Sequence, residues 1–246
     1  MGQARSPLGV ADLQRVAARG WRAPEEDRLG DWLLRAAGGF TGRANSALVV
    51  GDPGVPLPEA VAAVARWYAD RGLTPAAMLP GVQARSADAA FAAAGWQRGG
   101  TVLVLTAPLG APAAPAVPVE LSPTPDDAWL ATYADGGTLP PAAHQVLTGA
   151  EDVVFATVRR GPVAAAVARG VLTDGWLGVS AVEVDPAHRR QGLGTALLDA
   201  LRGWAGERGA HSVYLQVTED NAPARALYRR AGLIEQHRYW YRRLPG

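Results

Sequence analysis

The alternation of apolar and polar residues divides the second half of the chain into short strands and helices. Segments 152–159, 163–172 and 177–184 are β-like runs, with turn chemistry between them in Arg160-Gly161-Pro162 and Thr173-Asp174-Gly175, which predicts a meander of three strands. Leu197, Ala200, Leu201 and Trp204 then recur at i, i+3, i+4 and i+7, predicting an amphipathic helix over 195–204 with Gly209 beyond its end. A strand over 212–217 follows. Asn221 is a good N-cap, Pro223 is tolerated in a first helical turn, and Ala224, Leu227, Tyr228 and Ala231 share one face before Gly232. Segment 236–244 reads as a last strand. Upstream, 117–121 is a short strand, 124–135 a helix starting near Thr124 or Pro125 with Ala128, Trp129 and Tyr133 inside, and 140–147 a second short helix.

The clearest break in this pattern is segment 107–118, where Pro108, Pro112, Pro115 and Pro118 crowd among alanines. It reads as a linker between two halves, 1–108 and 117–246. The first half repeats the later order of the second: Trp67, Arg71, Gly72, Ala94 and Gly95 shift by 137 onto Trp204, Arg208, Gly209, Ala231 and Gly232, and Phe91 lands on Tyr228. The pairs Asp52-Pro53 and Asp185-Pro186 differ by 133, so the first copy is four residues shorter in the loop that follows. What it lacks is glycine-rich sequence. Gly51 to Pro58 leads directly into a helix expected over 59–70. The order predicts an α/β fold with a mixed, mostly antiparallel sheet flanked by helices, in two similar halves.

Composition narrows the function classes. The chain has 246 residues, about 48% of them hydrophobic, which suffices for a buried core. Its net charge is +1, with 24 basic against 23 acidic residues, so no global field points to nucleic acid or an anionic membrane. There is no cysteine, which removes disulfides and thiolate nucleophiles, and every basic residue is Arg, which removes Schiff-base and P-loop lysines. Residues 1–7 lack the apolar core of a signal peptide, and no stretch approaches a membrane span, so a cytoplasmic protein is expected. The four histidines, 144, 188, 211 and 237, show no ligand spacing, and no metal is expected. Arg238-Tyr239-Trp240-Tyr241-Arg242-Arg243 interleaves arginine with aromatics, but in a terminal strand this gives one buried and one solvated face.

The chemistry concentrates after the third strand of the meander. A strand ending at Val184, a loop to Gln191, and Gly192-Leu193-Gly194-Thr195 opening a helix leave the first helical N–H groups free to bind an anion. Glycines there permit close backbone approach to a diphosphate, and Arg189 and Arg190 add charge. The third glycine of a dinucleotide fingerprint and the Gly-Lys-Ser/Thr of a P-loop are both missing. Taken together, Val182-Glu183-Val184-Asp185-Pro186, Arg189-x-x-Gly192-x-Gly194, Asn221-x-x-Ala224-x-x-Leu227-Tyr228 and Ala231-Gly232-Leu233 resemble the successive signatures of the GNAT superfamily of acyl-CoA-dependent N-acyltransferases. The resemblance covers residues 117–246.

The resemblance implies acetyl-CoA as cosubstrate, its pyrophosphate on Arg189, Arg190, Gln191, Gly192, Leu193, Gly194 and Thr195. It implies a pantetheine arm along Val182, Glu183 and Val184, with Asn221 against the arm and Tyr228 near the sulfur. Acyl transfer to an amine needs a neutral nucleophile, donors for the oxyanion and a proton for the departing thiolate. A phenol is protonated at neutral pH, so Tyr228 is the candidate acid. Glu183 is a candidate base or a solvent-facing residue. Gln216 stands where some protein N-terminal acetyltransferases of the superfamily carry a glutamate, and cannot act as a base. Glu219, Asp220 and His188 are weaker candidates. Arg43, Asn45 and Ser46 either contribute to an acceptor cleft or are turn chemistry. The expected acceptor is a small-molecule or peptide amine, on a monomer or homodimer; the competing reading is a CoA-binding sensor or scaffold that performs no transfer.

Overall fold

The computed structural model describes residues 8–111 and 113–245. The first half runs α1 (Val10–Gly20), β1 (Glu25–Leu29), β2 (Trp32–Ala36), β3 (Ala47–Leu48), α2 (Leu57–Ala69), β4 (Ala76–Pro80), α3 (Arg85–Ala93) and β5 (Gln97–Pro108). The second runs β6 (Glu120–Ser122), α4 (Asp127–Tyr133), α5 (Ala142–Thr148), β7 (Asp152–Arg160), β8 (Val163–Thr173), β9 (Trp176–Val184), α6 (Leu193–Gly206), β10 (Ser212–Thr218), α7 (Ala222–Arg230) and β11 (Ile234–Arg243). The offset of 137 carries α3 onto α7 from first residue to last, so the repeat seen in single letters is also a repeat of elements.

The described strands form one mixed sheet in the order β1-β2-β3-β4-β11-β5-β10-β9-β8-β7-β6. Neighbours pair antiparallel except β3 with β4 and β9 with β10, which are parallel and occupy equivalent places in the two halves. The halves are interlocked. The last strand of the second half, β11, lies between β4 and β5, and the last strand of the first half, β5, lies between β11 and β10. Ala107 and Pro108, expected in the linker, are ladder residues opposite Val213 and Ser212. Proline is tolerated there because it is the last residue of its strand. The first-half helix begins two residues earlier than expected.

β5 is buried on both faces, which is why its centre reads as the unbroken run Val102-Leu103-Val104-Leu105. Leu103 and Leu105 join a cluster with Leu197, Leu201, Leu215 and Tyr228, on the face covered by α6 and α7. Val102 and Val104 join Leu13, Val16, Met78, Tyr214 and Tyr239 beneath α1 on the other face. On that second face a further cluster packs Trp129, Val146 and Leu147 of α4 and α5 against Phe155 and Val167. α2 and α3 extend the first face over the other half through Val64 and Phe91, with Trp96 just beyond α3. Asp126, rather than Thr124 or Pro125, caps α4, accepting from the Trp129 N–H at 2.7 Å. Asn221 caps α7 as expected, accepting from the Ala224 N–H at 3.1 Å.

Candidate active site

The site begins as a defect in the sheet. β9 and β10 pair only from Trp176 with Ser212 to Val179 with Leu215. Beyond that, β9 stays with β8 as far as Val184 opposite Ala166, whereas β10 stays with β5 as far as Thr218 opposite Val102. A gap therefore opens between Ser180–Val184 and Gln216–Thr218. Its local cause is a β-bulge: Arg169 opposes Ser180 and Val167 opposes Glu183, so Ala181 and Val182 together face one residue of β8. Ala181 takes φ +51° to make the bend, a conformation that costs an alanine about 1 kcal/mol or more. Nothing in the alternation of residues announces it.

Val182 and Val184 pack against the α6/α7 cluster, lining one side of the gap with apolar surface. Glu183 stands opposite Val167 in the ladder and so belongs to the α4/α5 side. Its Oε1 accepts from Arg189 Nη2 at 3.4 Å, and Arg189 Nε donates to the Val184 carbonyl at 3.1 Å. Arg189 thus ties the loop to the strand end. Arg190 is exposed with φ +65°, and Gly192 takes φ +78° at the N-cap of α6. The N–H groups of Thr195 and Ala196 both bond the Gly192 carbonyl. Those of Leu193 and Gly194 precede any intrahelical acceptor and remain available to an anion. The Leu193 side chain is itself core, 1% exposed. A Cβ at Gly194 would stand 2.9 Å from Leu227 Cδ2, the flexible end of that side chain.

Tyr228, on the buried face of α7, is 7% exposed. Burial, with a smaller contribution from the Glu183 charge, pushes its phenol up to about 12, so it stays protonated through neutral pH. Asn221 spends its side-chain oxygen on the α7 cap and keeps its amide N–H groups free of that bond. Gln216 lies next to the last β9–β10 pair and accepts from the Tyr239 hydroxyl at 2.8 Å. Glu219 is ion-paired to Arg238 at 2.7 Å, at the far end of β10. Val182, Val184, Leu193 and Tyr228 therefore share one cluster on the α6/α7 side of the gap, while Glu219 is paired with Arg238.

The polar run at 39–46 is mainly turn chemistry. Asn45 Oδ1 accepts from the Ala37 and Gly39 N–H groups at 2.8 and 3.0 Å, and its Nδ2 donates to the Phe40 and Thr41 carbonyls. Ser46 donates to the Gly42 carbonyl at 2.7 Å and is fully buried. Arg43 differs from both: its guanidinium lies 4.2 Å from the centre of the Trp21 ring. Sequence reading missed Arg169, whose guanidinium is 5.1 Å from the same ring. A lone arginine inside a strand gives no sign of burial.

A cleft of about 720 Å³ lies elsewhere, between α1, β1, β2 and the β8–β9 turn. Arginines and carboxylates line it together, and it holds no residue of the gap. No described group of three or more His, Asp or Glu could hold a metal, and no described helix is long and apolar enough to cross a membrane. The loop of the first half that corresponds to 185–195 is closed on itself: the Asp52 N–H donates to Asp31 Oδ2 at 2.9 Å, and the Gly54 N–H to Asp52 Oδ1 at 2.8 Å. Pro58 then removes one N–H from the first turn of α2.

Comparison with known proteins gives a consistent result. Residues 9–242 match the family described as "Probable histone acetyltransferase Rv0428c C-terminal". The chain is 32% identical over 220 residues to the probable histone acetyltransferase Rv0428c of Mycobacterium tuberculosis, across 85% of this chain and 66% of that protein, just under two thirds of its length. Its fold is similar to that of a GCN5-related N-acetyltransferase from Kribbella flavida, with TM-score 0.71, 21% identity and 96% of each chain covered. It is also similar to a tandem GNAT protein of the clavulanic acid biosynthesis pathway, with TM-score 0.65, 18% identity and coverage of 98% of this chain and 91% of that one.

Proposed function

The chain belongs to the Rv0428c-type family of GNAT N-acetyltransferases, and from that premise we propose that it transfers the acetyl group of acetyl-CoA directly to a primary amine at the β9–β10 gap. The observation that carries this reading is the convergence on one gap of a protonated, buried Tyr228, a free helix N-terminus at Leu193 and Gly194, and the unpaired edge of β9. Acetyl-CoA fits these groups: its diphosphate would take the Leu193 and Gly194 N–H groups and the charge of Arg190, and its arm would take strand edge left unpaired by the bulge. We assign Gln191, Thr195 and the Asn221 amide to the same cosubstrate, on the strength of the family resemblance.

In the transfer the amine nitrogen bonds to the thioester carbon, the C–S bond breaks, and the sulfur takes the Tyr228 proton. Backbone N–H groups of the bulged strand are the candidate donors to the oxyanion. To Glu183, which stands opposite Val167 on the other side of the sheet, we assign the proton that the amine releases. We assign one acetyl-CoA site per chain, because Asp31 and Asp52 occupy the N–H groups of the corresponding first-half loop with their own carboxylates. The test is calorimetry with acetyl-CoA followed by a thiol-release assay over an amine panel. Binding with amine-dependent release is expected; no binding, or release no faster than hydrolysis with every amine, overturns the reading.

A further inference from the structure

On the α1 side of the gap, two guanidinium groups flank one indole without a counter-ion. Arg43 and Arg169 lie 4.2 and 5.1 Å from the centre of Trp21, and neither forms an ion pair among the described residues. Arg169 is fully buried. Its Nε donates to the Leu147 carbonyl at 2.6 Å and its Nη1 to the Gly20 carbonyl at 3.0 Å, joining the ends of α5 and α1. Its Nη2 is buried with no partner. Directly across the ladder is Ser180, whose Oγ is also buried without a partner. Opposed residues on neighbouring strands share a face, with Cβ atoms about 5 Å apart. Ser180 is the first residue of β9 after its last pair with β10, so these orphaned donors stand at the vertex of the gap.

The electrostatics agree with this geometry. Burial pulls the Arg169 guanidinium down to about 10 and the neighbouring Arg43 charge adds to that, while only the hydroxyls of Tyr214 and Tyr133 act in its favour. Arg169 remains charged at neutral pH. A buried charge facing another of its own sign is costly unless an anion completes the site.

We propose that the acceptor amine also carries a carboxylate, held by Arg43, Arg169 and the Ser180 hydroxyl on the α1 face at the vertex of the gap. The inference rests on the acyl-transfer reading and narrows it: the acceptor is a small amino-acid-like molecule, not the side chain of a basic protein tail. A carboxylate offers two oxygens to the two orphaned donors, and its charge offsets the pair of guanidiniums. Trp21 stacks on Phe40, and Phe40 meets Tyr133 edge-on, with ring centres 6.4 Å apart in each pair. Lysine-rich segments would meet two arginines that have no ion-pair partner, while the Glu183 carboxylate is already paired with Arg189.

Matched pairs of amino acids and their primary amides test this in the thiol-release assay. The acid is expected to have kcat/KM about 10- to 100-fold above its amide, the loss expected when a charged hydrogen-bond acceptor is removed. Arg43→Met and Ser180→Ala should each shrink that ratio. Arg169→Met removes two carbonyl tethers and is the variant at risk of misfolding, so Arg43 and Ser180 decide the matter. Equal rates for acid and amide, or a preference for lysine peptides, overturn the inference while leaving acyl transfer standing. Calorimetry of the same pairs in the presence of CoA needs no turnover: selective binding of the acids, weakened by Arg43→Met, supports the carboxylate site even if thiol release fails.

Discussion

The Tyr228 phenol and the Glu183 carboxylate address the β9–β10 gap from opposite faces of the sheet. Tyr228 lies in the cluster beneath α6 and α7, whereas Glu183 stands opposite Val167 on the side of α4 and α5. The separation gives the two groups different work. One is buried and kept protonated beneath α6 and α7, and the other is partly exposed on the side of α4 and α5.

Tyr228→Phe therefore lowers kcat by roughly 10²-fold or more, the scale of general acid catalysis, with a small change in KM for acetyl-CoA. The shift in Tyr228 also fixes the sign of its pH dependence. The functional form is the neutral phenol, and its pKa is raised to about 12, so ionisation of Tyr228 removes no activity between neutral pH and about pH 10. Steady-state kinetics over that range check both statements. An unchanged kcat in Tyr228→Phe would make this tyrosine a core residue only.

Two glycines of the α6 terminus separate strain from ligand contact. Gly192→Ala puts a side chain at φ +78° and is expected to cost about 1–2 kcal/mol of stability, although nothing lies within 4 Å of the added methyl. In Gly194→Ala the methyl meets only the flexible tip of Leu227, at 2.9 Å, so stability should change little. If the diphosphate lies on this helix end, Gly194→Ala should still raise KM for acetyl-CoA by about 10-fold, through lost close approach. Thermal melts paired with KM measurements distinguish the two effects. A Gly194→Ala enzyme with normal KM would move the diphosphate off this turn.

Much of the second half was legible because its signals are local. Leu197 to Trp204 keep helical spacing, and Asn221 caps the helix that its position announces. The gap was implied by the resemblance, which puts a splayed strand and the pantetheine arm at Val182 to Val184, but not by the residue pattern itself. It depends on where pairing between β9 and β10 stops and on a left-handed Ala181, and neither leaves a compositional trace. Arg169 was missed for a related reason: its partners are the carbonyls of Leu147 and Gly20, 22 and 149 residues away in sequence. The offset of 137 predicted the repeat, but not that the repeats trade their last strands.

His237 gives the fold an acid sensitivity. Its Nε2 lies 2.7 Å from Gln14 Nε2, which must donate, and its Nδ1 bonds Gln236 Oε1, so the ring is neutral with the proton on Nδ1. Burial depresses it to about 4. Because the folded value lies below the unfolded one of about 6.5, the unfolded chain binds the extra proton first. The associated stability is complete above about pH 6.5 and is lost as pH falls towards 4, on the order of 3 kcal/mol. Denaturant melts between pH 4 and 7 should show this slope in wild type and a shallower one in His237→Asn. Equal slopes would remove His237 as the cause.

The strand exchange leads to the last prediction. A chain cut in the linker leaves the first half without β11, its contact between β4 and β5, and the second half without β5, the partner of both β10 and β11. Each piece then exposes a long unpaired strand edge, and Leu103 and Leu105 lose the cover of α6 and α7 on one face of β5. Fragments 1–112 and 113–246 are therefore expected to aggregate when made separately and to form a soluble 1:1 complex when made together. The complex should recover acetyl-CoA binding, although every residue assigned to that site lies in the second fragment. Size-exclusion chromatography with calorimetry reads the result. A monomeric, soluble 113–246 that binds acetyl-CoA alone would show that the exchanged strands are dispensable and that the second half is an independent domain.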